Sequence, residues 1–205
     1  MSSPPHLTSC VAWNRRRFAL LILASLGLAA CGGGPPPTTF DLSQSETGAR
    51  KPAFHAKRQF VVTEPVAVQP LDSDRVLVRR PDGALATLAH VQWSDRLPRL
   101  VQARIVQAFE NAGAVGRVGI SGGTITPDVT LDAEIRVFEI DPGAGQGKIE
   151  LAVKLVDAVS GRTVAARVFQ ADMAGDTEGP AAVETLDRAL GQVLAEITRW
   201  ARAYI

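Results

Sequence analysis

Two stretches of the chain repeat apolar residues every three or four positions, and several others alternate them every second position. Between Ser94 and about Asn111, with Ala112 just beyond, Leu97, Leu100, Val101, Ile105, Ala108 and Phe109 fall on one stripe. That period predicts an amphipathic helix, with Ser94 as its N-cap. Pro98 falls in the first turn, where a missing N–H costs nothing, and Gly113 stands where a left-handed residue ends a helix. A second stripe, Val183, Leu186, Leu190, Val193, Leu194, Ile197 and Ala201, starts after Pro180 and predicts a helix to the C-terminal end.

The alternating stretches predict strands. In Asp128–Asp141, Val129, Leu131, Ala133, Ile135 and Val137 face one way and Thr130, Asp132, Glu134 and Arg136 the other. Lys148–Ala158 places Ile149, Leu151, Val153 and Leu155 inward with Glu150 and Lys154 outward, and Thr163–Ala171 places Val164, Ala166 and Val168 inward. Pro142–Gly147 and Ser160-Gly161 are the turns of this meander, whose outer face is wet. Upstream, Gln59–Leu71 is a strand broken by Pro65, and Arg75–Arg80 and Ala84–Leu88 flank Pro81-Asp82-Gly83 as a hairpin. Phe40–Leu42 and Val115–Ile120 are two further short strands, with the polar stretch Ser43–Lys57 as a loop. Two helices on the apolar side of such a sheet predict an α/β sandwich in one domain, its sheet mixed and largely antiparallel.

The first thirty residues follow a different rule. Arg15, Arg16 and Arg17 precede Phe18–Ala30, an apolar block whose only polar member is Ser25. Thirteen helical residues span about 20 Å, short of the ~30 Å hydrocarbon core. The pattern is that of a cleaved secretory signal, residues 1–30. Leu28-Ala29-Ala30-Cys31 resembles the bacterial lipobox, which implies acylation of the Cys31 sulfur and cleavage before it. Residues 31–39 are then the lipidated cysteine and a Gly/Pro-rich tether, and 40–205 the domain. Of the two cysteines, Cys10 leaves with the signal and Cys31 is consumed, so no thiol remains for a disulfide.

Composition adds limits. With 46% hydrophobic and 21% charged residues the chain is neither disordered nor a polytopic membrane protein. The net charge is +1, and without the signal it becomes −2 (22 − 3 = 19 basic against 21 acidic side chains), so no basic excess exists for nucleic acid.

Candidate chemistry is sparse. Gly119-Ile120-Ser121-Gly122-Gly123 matches the nucleophile elbow G-x-S-x-G, yet Thr124-Ile125-Thr126-Pro127 is no helix, and His55 and His90 precede Ser121 rather than follow it. Gly143–Lys148 resembles a phosphate loop, but Ile149 replaces the required Ser or Thr and strands flank it. His55 and His90 lack partners at metal-ligand spacing, and Asp132 and Glu134 have Arg136 beside them, which favours ion pairing over a carboxylate dyad. The sequence predicts no catalytic, cofactor or metal site.

The lipobox and its tether, Phe40-Asp41-Leu42, Val66–Leu71, Gln92-Trp93-Ser94-Asp95-Arg96-Leu97-Pro98 and Asp132–Glu139 together resemble the ABC-type transport auxiliary lipoproteins. That resemblance implies an anticodon-binding-domain-like fold. It also implies a non-catalytic role at the periplasmic face of the outer membrane, docking the mammalian-cell-entry (MCE) protein of a lipid transporter, with permease and ATPase as indirect partners. A different class is a stand-alone envelope lipoprotein serving assembly or peptidoglycan synthesis. The candidate docking surfaces are the outer meander face (Asp132, Glu134, Arg136, Glu150, Lys154, Arg167) and the Arg75–Leu88 hairpin.

Overall fold

The computed structural model describes residues 36–42, 58–113 and 116–205. The expected signal, Cys31 and His55 lie outside the described residues. In chain order the elements are β1 (Thr38–Phe40), β2 (Gln59–Val62), β3 (Val66–Ala67), β4 (Arg75–Arg79), β5 (Leu85–Trp93), α1 (Leu97–Ala112), β6 (Arg117–Ile120), β7 (Val129–Asp141), β8 (Gln146–Asp157), β9 (Thr163–Ala174) and α2 (Gly179–Ala201).

Strand β7 is the trunk of an open nine-stranded mixed sheet. Along one side it pairs antiparallel with β8, which pairs antiparallel with β9. Its other side is shared end to end by three short parallel partners: β2 beside Val129–Leu131, β3 beside Glu134 and Ile135, and β4 beside Glu139 and Ile140. Pro65, which has no N–H to give a ladder, falls in the gap between β2 and β3. Strand β6 adds to β2, and β1 adds to β5 of the hairpin. The long ladders are antiparallel and the short ones around the trunk parallel, as the mixed, largely antiparallel α/β sandwich requires.

Both helices contact the sheet and each other, α2 against β8 and β9 and α1 against β2 and β6. The expected stripe of α2 is buried throughout: Leu186, Leu190, Val193, Ile197 and Ala201 are 0% exposed. Each such side chain contributes about 1.5–3 kcal/mol relative to an exposed one. Ring pairs bind the layers laterally, Phe60 against Phe109 at 4.7 Å and Trp93 edge-on to Phe138 at 5.9 Å. A buried ion pair, Arg104–Asp187 at 3.6 Å, links the two helices.

Three expectations need correction. Helix α1 begins at Leu97, with Arg96 as N-cap and no side-chain cap, so Ser94 is not the cap. The Trp93 N–H donates to the Asp74 carbonyl and the Ser94 N–H to the Phe40 carbonyl, and the chain turns helical only after those bonds. The other end agrees: Gly113 takes a left-handed φ of 58°.

In β7 the alternation slips. The register passes from Ile135↔Leu151 to Val137↔Glu150, a bulge at Arg136. One extra residue exchanges the faces beyond it, so Phe138 and Ile140 are buried and Val137 is only partly so.

In β9 the inward set is the opposite of that expected. Ala165, Arg167, Phe169 and Ala171 pair with the inward Leu155, Val153, Leu151 and Ile149 of β8. Val164 and Val168 are instead 44% and 45% exposed on the outer face. The strand carries apolar residues on both faces, so pairing with β8, not the strand's own pattern, decides which face is buried.

Candidate functional surface

The residues considered for catalysis lie apart. Ser121 is exposed in a turn after β6, its N–H bonded to the Val62 carbonyl, and an extended loop follows where an elbow needs a helix. Gly119 has another purpose: a Cβ there would stand 2.6 Å from Ile125 Cδ1, so the returning loop presses on the bare backbone. His90 is exposed at an irregularity of β5, with φ 59°. Among the described residues no group of three or more His, Cys, Asp and Glu is placed to hold a metal ion.

Gly143–Lys148 is the β7–β8 turn. Lys148 Nζ donates to Asp141 Oδ2 at 2.7 Å, and the Ala144 N–H donates to Asp141 Oδ1 at 3.0 Å. The lysine bond and that N–H hold the Asp141 carboxyl below the usual carboxylate range, and the same contact raises Lys148. The lysine is committed to closing its own turn.

The corner holding Gln92–Pro98 is built more deliberately. Trp93 is 1% exposed. The Arg96 guanidinium donates twice to Asp72 Oδ1, and through Nη1 to Glu64 Oε1 at 3.1 Å. Arg99 adds Glu64 at 3.9 Å and Asp95 at 3.6 Å. The cluster ties the start of α1 to the segments around β3, and the Asp72 contact raises the Arg96 pKa. These partners were not named from sequence, because Glu64 and Asp72 are 32 and 24 residues from Arg96.

Strand β4 supplies another contact that sequence reading missed. Arg79 Nε and Nη2 reach the two oxygens of Glu139 at 2.6 and 2.8 Å, while its Nη1 holds the Gly83 carbonyl at 3.1 Å. Glu139 is 5% exposed, so a bidentate arginine compensates a buried carboxylate and braces the hairpin.

The outer face of β7–β9 brings together most of the predicted charged set. Glu134 and Arg136 pair at 3.3 Å, Arg136 and Glu150 at 3.6 Å, and Lys154 stands opposite Asp132, which accepts a bond from Thr63 Oγ1 at 2.9 Å. Arg167 is not among them. It faces the helix layer, its guanidinium 5.1 Å from the Phe169 ring, in a cavity of about 260 Å³ with Glu196, Arg199, Trp200, Ala203 and Tyr204. In its place the outer face carries valines. Val66↔Glu134↔Ala152↔Val168 form one row across β3, β7, β8 and β9, with Val66 67% exposed. Among the described residues strand β9 is also a sheet edge, pairing only with β8.

Comparison with known proteins decides the family. The model of the ABC-type transport auxiliary lipoprotein component matches residues 40–198. The chain belongs to this family. An uncharacterized protein of Bradyrhizobium diazoefficiens, bll6063, is 31% identical over 182 residues, 87% of this chain and 49% of that protein. The chain thus spans about half the length of this curated relative. The crystal structure of protein XCC0632 from Xanthomonas campestris superposes with a TM-score of 0.64 at 29% identity, over 71% of this chain and 84% of that one. A crystal structure described only as an uncharacterized protein gives 0.63 at 16% identity, over 81% and 99%, and speaks for the fold alone. The family is described as an auxiliary lipoprotein component of ABC-type transport. The family match contains the Trp93–Pro98 corner, the Arg79–Glu139 brace and the whole outer face. No helix among the described residues is long and apolar enough to cross a membrane.

Proposed function

We propose that this protein is the lipid-anchored docking subunit of an MCE-type lipid transport system, held at the periplasmic face of the outer membrane. In this reading residues 1–30 are removed and Cys31 carries the lipid. The outer sheet face receives the MCE-domain partner, and the permease and ATPase are reached only through it. Catalysis has no part in the role. Because β1 begins at Thr38, the last two residues of the stretch read as tether belong to the sheet.

The observation that carries the reading is the outer face itself. Exposed valines on β3 and β9 stand among ion pairs that are themselves surface-exposed. A face that had only to stay solvated has no use for the valines, whereas apolar contacts within a charged frame suit a protein partner. Charged contacts of this kind make association salt-sensitive, and several copies on one assembly strengthen a weak single contact.

The test is capture of an MCE-domain protein of the same organism by the purified protein. We expect a complex at low salt that Glu134→Lys with Lys154→Glu weakens. No complex at low salt sinks the docking role; a complex indifferent to both reversals moves the interface off this face.

A further inference from the structure

The direction of β1 shows from which end of the sheet the chain enters it. Strand β1 runs parallel to β5, with Thr38 beside Val91, so the chain enters the sheet from the side of the hairpin turn. From Cys31 to Thr38 there are seven residue steps, which span at most about 25 Å when fully extended. Gln92 and Leu85, the latter at the mouth of that turn, stand opposite Arg75 and Arg79 of β4, so the bulged β5 covers only about 13 Å there, four strand steps of its partner. The extended tether therefore reaches past the mouth of the turn. Strand β4 is parallel to β7, so the β7–β8 turn lies at this same end. The Ser160-Gly161 turn and Val159, 91% exposed, lie at the opposite one, about 40 Å away along the 13 residues of β7.

The geometry points to the β4–β5 turn, Arg80–Leu85, as a contact with the lipid headgroup surface, holding the domain upright with its Val159 end outward. The inference rests on the Cys31 anchor of the proposed function. The turn suits the contact. It is stiff, because Arg79 clamps the Gly83 carbonyl, the Arg80 N–H donates to Ala84 O, and the Ala84 N–H donates to Asp82 Oδ1. It offers one exposed arginine, Arg80, whose Nε stands 3.9 Å from the equally exposed Asp82 carboxylate, a solvent-open pair that a phosphate can replace, and one exposed leucine, Leu85, which is 42% open. An arginine suits phosphate oxygens, and a leucine suits the boundary beneath them. So small a tip binds weakly by itself; the tether supplies the effective concentration that keeps it in place. The hairpin is thereby withdrawn from the partner-docking surfaces, and the outer sheet face remains free along its length.

The test uses the full chain, processed and purified from membranes, in vesicles of phosphatidylethanolamine with a minority of phosphatidylglycerol and a headgroup-linked quencher. With Cys10 removed and the Cys31 sulfur acylated, Ala84→Cys or Val159→Cys gives the single labelling site. Fluorescence is expected to be lost at position 84 and kept at position 159. The mass of the N-terminal peptide is read from the same sample. A bare Cys31 overturns the anchor and this inference with it. A lipidated Cys31 with equal quenching at both positions, with none at either, or with more at 159, overturns the orientation alone.

Discussion

The two faces of the β7–β8–β9 meander are made by the same strands and differ completely. On the inner face Leu131, Ile149, Leu151, Val153 and Leu155 are each at most 1% exposed, roofed by α2. On the outer face Glu134, Arg136, Glu150 and Lys154 stand beside Val164 and Val168, nearly half exposed. The inner face is determined by folding, since every apolar group there is removed from water. Exposed ion pairs on the outer face contribute only about 0–1 kcal/mol each, and an exposed valine gains little. What folding leaves undetermined is free to be shaped by a partner.

The widest gap between the faces is opened by truncating one inner residue. Leu151→Ala removes a fully buried side chain that stands opposite Phe169. It should destabilise the fold by about 2–5 kcal/mol in urea titrations. A loss below 1 kcal/mol by that measure would mean that α2 collapses onto the gap and that the face is less tightly packed than it looks.

The Arg79–Glu139 pair tests whether the distinction extends to charge. Arg79→Ala leaves the buried Glu139 carboxylate without its bidentate partner and should cost about 1–3 kcal/mol, more than any exposed pair. Arg136→Ala, whose partners Glu134 and Glu150 are both partly open to solvent, should cost under about 1 kcal/mol. Equal losses in denaturation curves would erase the difference between a covered and an open ion pair.

Acid should find the turns first. The Lys148 bond and the Ala144 N–H lower Asp141, and the Ser160 N–H and hydroxyl lower Asp157. A carboxyl depressed in the folded state contributes stability above its unfolded pKa and loses it as the pH falls through the folded value. Lys148, raised by Asp141, behaves oppositely and loses its contribution as the pH rises through its folded value. The urea midpoint of Asp141→Asn should therefore vary less between neutral and acid pH than that of the wild type. Identical slopes would show that the bonds to Asp141 are not kept in solution.

How much of this was legible in the sequence follows from which contacts are local. The stripes of both helices, the Gly113 stop, the Pro65 break and the hairpin were readable, because each depends on residues a few positions apart. The N-cap of α1 was misread because two sheet bonds, to Asp74 and Phe40, outrank the preference of Ser94. The β9 faces were misread because Val164, Ala166 and Val168 on one side and Phe169, Ala171 and Met173 on the other are both apolar. Only the β8 register breaks that tie, and register is a property of two strands. The same lack of a local signal hid Arg79–Glu139, 60 residues apart, and put Arg167 on the wrong face. In the candidate surface the charged half was therefore foreseen and the apolar half was not.

That apolar half gives the smallest effect on stability and the sharpest on function. Val168→Asp places a carboxylate where the side chain is already 45% exposed, in the row shared with Glu134 and Ala152. No cavity forms and no buried group loses a partner, so the unfolding free energy should change by no more than about 0.5 kcal/mol. An inner substitution of the same strand, Phe169→Asp, buries a charge beside Trp200 and should prevent folding. If the outer face receives a partner, Val168→Asp should weaken capture of the MCE-domain protein while leaving the denaturation curve in place. A fall in stability comparable to that of a core truncation would mean that Val168 belongs to the fold. An unchanged curve with unchanged capture would leave the exposed valines of β9 without a binding role and confine any interface to the charged side around Glu134 and Arg136.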